Sequence, residues 1–183
     1  ASTLSGPLNL TVVLATYNER ENLAPMLAKL IALLGQRYRL EIIVVDDDSP
    51  DGSADLVRSL ARQDPRIHLI RRVGRNGLSS AIREGLLAAS GEMAVVMDAD
   101  GQHEPEAVDL AIRELISSDA DLVIGSRFHA GAVIEGLSPQ RQRGSSQANR
   151  LARSTLPAYA QLSDYMSGFF ALRPDRCAKA IRA

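Results

Sequence analysis

Glu41-Ile42-Ile43-Val44-Val45-Asp46-Asp47-Asp48-Ser49-Pro50-Asp51-Gly52 is an apolar run that breaks abruptly into carboxylates and turn-forming residues. A short Val/Ile-rich stretch without polar alternation suits a strand buried on both faces, as in a parallel sheet covered by helices. Residues 53–63 follow with Leu56, Val57 and Leu60 on one side and stop at Asp64-Pro65, which reads as an amphipathic helix with a terminator. Strand, polar turn and helix make one repeating unit.

The same unit recurs outward in both directions. Apolar runs of strand length lie at 10–15, 67–71, 92–98 and 121–125. Segment 21–34 places Leu23, Leu27, Leu30, Ile31 and Leu34 on one stripe, with Gly35 as a stop signal. Segment 78–89 does the same with Ile82, Leu86 and Ala89, and segment 105–117 begins with a proline suited to a first helical turn. This alternation predicts an α/β domain, a Rossmann-like, mainly parallel sheet flanked by helices. After Arg127 the rhythm changes to a Gly-containing loop (128–138), an Arg-rich helical segment (139–156) and a short apolar strand (168–172).

At 183 residues, 45% hydrophobic and 23% charged, the chain has the length of a single domain and too much apolar content for disorder. No apolar run approaches the roughly 18 residues needed to cross a bilayer, and the start carries no signal-peptide pattern, so the polypeptide as given is expected to be soluble. A single cysteine, Cys177, excludes a disulfide framework or cysteine metal cluster and reads as a small half-buried side chain. The net charge of −1 hides an asymmetry: residues 1–125 hold 12 basic and 19 acidic side chains, net −7, whereas 126–183 hold 9 and 3, net +6. That division suggests a cation handled in the first part and an anion in the second, or else a dipole of solvated surface charge. No nucleic-acid partner is expected.

Ligands of open parallel sheets bind beyond the carboxyl ends of the strands. The residues there are Thr16-Tyr17-Asn18-Glu19, Asp46-Asp47-Asp48-Ser49, Asp98-Ala99-Asp100 and Ser126-Arg127. Two of these groups cluster carboxylates, which repel one another unless something positive sits among them, and a bound cation is the simplest answer. Asp98 and Asp100, two residues apart just past a strand, suit the oxygen-donor preference of Mg²⁺ or Mn²⁺. The bland rivals are a solvated loop at Asp46–Asp48 with Asp51 capping the next helix, and a capping role for Glu19. His103 reads as a surface residue. A dinucleotide fingerprint is absent, since residues 15–20 contain no glycine, and so is a Walker loop. A receiver-type phosphoacceptor switch needs an acidic pair after the first strand and a late lysine, and the lysines are Lys29 and Lys179.

Thr16-Tyr17-Asn18-Glu19, Val44 to Gly52, Gly77-Leu78-Ser79-Ser80-Ala81, Met97-Asp98-Ala99-Asp100, Gly125-Ser126-Arg127-Phe128 and Ser167 to Arg173 occur together in order. In that order and spacing the chain resembles the family 2 glycosyltransferases, and within them the dolichyl (polyprenyl) phosphate mannose synthases. The resemblance runs from about Leu10 to Arg173. It implies a GT-A fold, a nucleotide-diphosphate sugar donor (GDP-mannose, or UDP-glucose), Mg²⁺ or Mn²⁺, and a polyprenyl-phosphate acceptor at a membrane surface. By matching positions, Ala15, Tyr17, Glu19, Val45 and Asp47 would line the nucleoside pocket. Asp98, Ala99, Asp100 and Gln102 would hold the donor diphosphate and metal, the metal ligands being Asp98, Asp100 and Gln102. Arg127, Arg141 and Ser145 would face the acceptor phosphate. Asp100, Arg127 and Arg141 carry the catalytic expectation. Two departures stand out: Ala15 occupies a position where the family usually has proline, and Gly101-Gln102-His103 replaces a more apolar residue before the glutamine.

A phosphate acceptor is already ionised near neutral pH, so its attack needs no general base. Charge management takes over that role, and direct displacement at the sugar carbon predicts inversion. Were the acceptor a sugar hydroxyl, Asp164 is where the base would stand. Arg143, Arg150 and Arg153 form either a solvated stripe or a contact for anionic lipid headgroups. Residues 1–183 are therefore expected to be one catalytic domain lacking its C-terminal end, acting at the cytoplasmic face of a membrane.

Overall fold

β1 (Asn9–Thr16) is buried from Leu10 to Thr16 and has a parallel partner on each side. The computed structural model describes residues 7–99, 106–125 and 168–182. On one side of β1 lies β2 (Arg39–Asp46), then β3 (Ile67–Arg71); on the other lies β4 (Met93–Asp98). Beyond β4 come β6 (Phe170–Leu172) and β5 (Leu122–Ile124), giving the order β3-β2-β1-β4-β6-β5. β6 runs antiparallel to both neighbours, and the pairings among β1 to β4 are parallel. The expected mainly parallel sheet is present. Nothing in the alternation of apolar runs announces the direction of β6, which comes from how the chain returns to the sheet.

The helices stand where their apolar stripes place them: α1 (Arg20–Leu34), α2 (Ser53–Gln63), α3 (Leu78–Ala88), α4 (Glu106–Ser117) and the short α5 (Ala178–Arg182). Strand side chains alternate between the two faces of the sheet. One face carries Leu10, Val12, Leu14, Met93 and Val95 into a core with Leu23, Leu27 and Leu30 of α1 and Ile112 and Leu115 of α4. The opposite face carries Val13, Ala15, Val45, Ala94 and Val96 against Ala81 and Leu86 of α3. Gly35 ends α1 as expected and does so with helical angles (φ −65°, ψ −18°). It lacks a side chain for a steric reason, since a Cβ there would lie 2.6 Å from the Ile31 carbonyl oxygen. The segments expected at 128–138 and 139–156 lie outside the described residues.

Gly85 sets how closely α3 approaches the sheet. A Cβ at this position would collide with Val13 Cγ1 and stand 3.1 Å from Val45 Cγ2, and valine has little rotamer freedom with which to yield. Gly85→Ala should cost about 1–3 kcal/mol in overpacking, against about 1 kcal/mol gained in helix propensity. The net loss is then at most about 2 kcal/mol, smaller than the roughly 2–5 kcal/mol expected for Leu27→Ala, which empties part of the opposite core. Urea unfolding of both variants checks the order, and a stabilised Gly85→Ala would contradict the close approach.

Candidate functional site

The register of the sheet brings residues from three strands into one row at its carboxyl edge. Ala15 pairs with Val45 on one side and with Asp98 on the other, so the three side chains share the face covered by α3. Val45 is fully buried and Ala15 nearly so, whereas Asp98 is half-buried at the end of its strand. Ala99 turns back into the opposite core. Past the end of β1, Tyr17 stands 58% exposed and Glu19 begins α1, its carboxylate accepting a hydrogen bond from the Asn22 side-chain amide at 2.6 Å. Asp47 follows β2 directly, its amide donating to the Thr16 carbonyl at 3.3 Å.

Gly168, at the start of the segment leading to β6, packs directly on Asp98. A Cβ at Gly168 would overlap Asp98 Oδ2 and lie 2.8 Å from its Cγ, so this carboxylate is seated against bare backbone. Asp100, Gln102, Arg127, Arg141, Ser145 and Asp164 lie outside the described residues. Among the described residues no three His, Cys, Asp or Glu side chains converge to hold an ion.

The Asp46–Asp48 cluster departs from the expected cation-filled group, because its charges are met by the protein itself. Asp46 is fully buried and accepts hydrogen bonds from the Ser49 amide (2.9 Å) and hydroxyl (2.5 Å). Asp47 Oδ1 lies 3.0 Å from the Arg72 guanidinium, and its Oδ2 accepts the Gly77 amide at 3.0 Å. Asp48 is paired with Arg71. Sequence reasoning misses Arg71 and Arg72, although the rule applied to the other strands exposes them: they sit at the carboxyl end of β3, where Asp46 pairs with Arg71. Asn18 and Asp48 both adopt φ near +57°, a left-handed turn that Asn and Asp tolerate better than most residues. The Asn18 amide donates to Ser49 Oγ at 3.0 Å, tying the first loop to the second.

Two other expectations resolve plainly. Cys177 is half-buried, its thiol lies 3.5 Å from the Asp121 carbonyl, and burial together with Asp121 and Asp175 pushes its pKa up, which disfavours a thiolate nucleophile. Asp51, expected to cap the helix after it, serves two helices: Oδ1 accepts from the Ser53 amide (2.9 Å) and hydroxyl (2.6 Å), and Oδ2 from the Arg20 amide (3.1 Å) at the start of α1.

Comparison with known proteins places the chain among glycosyltransferases. The family model described as "Glycosyl transferase family 2" matches residues 11–176. The dolichol-phosphate mannosyltransferase of Pyrococcus furiosus is 42% identical over 169 residues, covering 92% of this chain and 47% of that protein. The dolichol-phosphate mannosyltransferase of Saccharomyces cerevisiae is 37% identical over 166 residues, covering 89% and 60%. The chain thus spans about half the length of the relatives it matches. In fold it is similar to the mannosyltransferase PcManGT of Pyrobaculum calidifontis, solved with GDP-Man and Mn²⁺ (TM-score 0.64, 22% identity, 96% of this chain and 47% of that one).

The Asp51 cap gives a pH-dependent test. Loss of hydration, the largest single influence, acts to raise its pKa, but the hydrogen bonds from Ser53 and Arg20 together hold it below the usual 3.8. A depressed folded-state pKa means the contribution is complete above the unfolded value and is lost as pH falls below that value and through the lower folded one. Asp51→Ala should therefore cost about 1 kcal/mol at pH 7, with the gap to wild type closing below about pH 4. Thermal unfolding at pH 7 and pH 3 checks this; a gap unchanged at pH 3 would contradict it.

Proposed function

The chain belongs to glycosyl transferase family 2, and we propose that it binds a nucleotide-diphosphate sugar, GDP-mannose, and transfers the hexose with inversion to a polyprenyl phosphate. The observation that carries this reading is the row at the carboxyl edge, in which Asp98 stands beside Ala15 while Asp47 is held by the Gly77 amide and the charge of Arg72. The names of the two relatives, both dolichol-phosphate mannosyltransferases, favour mannose and a lipid phosphate over other donor and acceptor pairs.

In this reading Ala15, Tyr17, Glu19, Val45 and Asp47 border the nucleoside. Asp47 Oδ1 is buried against Arg72, and the Gly77 amide takes one lone pair of Oδ2, which leaves the second lone pair of Oδ2 for a base N–H. Asp98, Asp100 and Gln102 would hold Mg²⁺ or Mn²⁺, which stabilises the charge that builds on the departing diphosphate. The one member of that set among the described residues fits the assignment: Asp98 offers a hard oxygen donor at a strand end, and the absence of a side chain at Gly168 keeps its carboxylate in place. Arg127 and Arg141, with Ser145, would clamp the acceptor phosphate through charge-assisted hydrogen bonds and bring two anions together across the sugar. The acceptor oxygen is ionised at neutral pH, so no side chain need remove a proton from it. A lipid acceptor places the reaction at a membrane surface. Among the described residues no helix is long and apolar enough to cross a membrane, so contact there would be peripheral for this part of the chain.

A thermal-shift panel separates the donor classes. GDP-mannose with Mn²⁺ at 100 times its dissociation constant should add about 2.7 kcal/mol of stability, with UDP-glucose and UDP-GlcNAc adding less. Gly168→Ala, which displaces Asp98, should lose the Mn²⁺-dependent part and keep the metal-free part. A shift with UDP-sugars alone would overturn the GDP-mannose assignment, and no GDP release on adding polyprenyl phosphate and Mn²⁺ to the full-length protein would overturn the acceptor.

A further inference from the structure

Arg72 is a charged side chain with only 1% of its surface exposed, and it follows immediately after β3. Its amide donates to the Asp46 carbonyl at 2.8 Å, which extends the β2–β3 pairing by one step and turns the side chain inward. Nη1 lies 3.0 Å from Asp47 Oδ1 and donates to the Gly77 carbonyl at 3.1 Å, and Nη2 donates to Ser80 Oγ at 2.6 Å. The Gly77 amide in turn donates to Asp47 Oδ2 at 3.0 Å. Arg72, Asp47 and Gly77 therefore form a closed ring that straps the loop between β3 and α3 onto one carboxylate. Gly77 reaches this position with φ +123°, a conformation that residues with a Cβ rarely adopt.

Burying a guanidinium is expensive, and apolar replacements of buried ion pairs are often as stable or more so. The ring also leaves Arg72 Nε buried without a hydrogen bond, 3.6 Å from Glu84 Oε1, and meets the buried Asp47 Oδ1 by charge alone. Stability alone is thus a poor account of why a rigid, forked cation stands here. Its guanidinium does something an apolar side chain cannot: Nη1 faces Asp47 Oδ1 as an ion pair while Nη1 and Nη2 hold the Gly77 carbonyl and Ser80, so the charge beside Oδ1 and the Gly77 amide on Oδ2 act on the carboxylate from two fixed points.

We propose that Arg72 is a positioning residue that sets nucleobase selectivity, by holding the Asp47 carboxylate in the orientation that recognises the N–H edge of the donor's base. This rests on the reading above that Asp47 borders the nucleoside. Guanine presents two adjacent N–H donors on its pairing edge, whereas uracil presents one flanked by carbonyls, and a carboxylate held in one plane discriminates between them in a way that a freely rotating one does not.

Titration calorimetry with GDP and UDP on wild type, Arg72→Lys, Ser80→Ala and Asp47→Asn tests the assignment, with circular dichroism and melting temperature as controls on folding. Arg72→Lys keeps the charge and loses the fork; it should weaken binding of the preferred nucleotide about tenfold and bring the GDP/UDP ratio close to one. Ser80→Ala, which releases the far side of the guanidinium and leaves the charge in place, should lower the ratio about threefold. Combining Arg72→Lys with Asp47→Asn should lower the ratio no further than Asp47→Asn alone. A GDP/UDP ratio unchanged in both Arg72→Lys and Ser80→Ala, or two affinities that fall in parallel, would overturn the assignment while leaving the donor reading intact. Wild type that binds neither nucleotide would overturn the donor reading and this inference with it.

Discussion

β1 is hydrogen-bonded to a parallel strand on each side, and its register decides where every polar strand end sits. With Leu10 opposite Leu40 and Met93, Ala15 necessarily lies between Val45 and Asp98. A slip of one residue on either side would send Asp98 or Val45 to the opposite face and put apolar side chains against the wrong helices. The two cores hold this register because the alternation along β1 is strict, with Val12 and Leu14 committed to α1 and α4 and Val13 and Ala15 committed to α3. The site at the carboxyl edge is thus fixed by packing many ångströms below it.

Electrostatics at that edge follow from burial rather than from sequence neighbourhood. The division of the chain into a carboxylate part and an arginine part is real as composition, but among the described residues charges pair within and across it. Arg71 and Arg72 compensate Asp48 and Asp47 from within the acidic part, while Arg173 and Arg176 of the basic part reach Asp119 and Asp121. These pairings remove the need for an ion at Asp46–Asp48. The proposed cation position lies elsewhere, at Asp98, a half-buried carboxylate seated against Gly168.

Much of the scaffold was legible in the sequence because each element buries itself by a simple period. The apolar runs at 10–15 and 41–46 and the stripe of 53–63 recur as β1, β2 and α2 within a residue or two, and Asp51 caps as its position suggested. What escaped depends on contacts between distant segments. The direction of β6 and the seating of Gly168 on Asp98 join residues about seventy positions apart, and no local period encodes them. Arg72 looks like a solvated residue after an edge strand until the loop bearing Gly77 and Ser80 folds over it. Of the candidate site, Ala15, Tyr17, Glu19, Val45, Asp47, Asp98 and Ala99 are described in place, while Asp100, Gln102, Arg127, Arg141 and Ser145 are carried by the resemblance in their motifs.

The central claim is that the carboxyl edge of the sheet, between Asp47 and Asp98, holds the metal-bound nucleotide. Paramagnetic broadening of backbone amide signals by substoichiometric Mn²⁺ in the presence of GDP-mannose tests it most directly. The expected result is selective loss of the signals of Ala99, Gly168 and the residues around Asp98, with weaker effects near Ala15 and Asp47 and none at Arg39, Leu40 and Met93 at the opposite end of the strands. Broadening centred on that opposite end, or spread without preference over surface carboxylates such as Asp55 and Glu114, would contradict it.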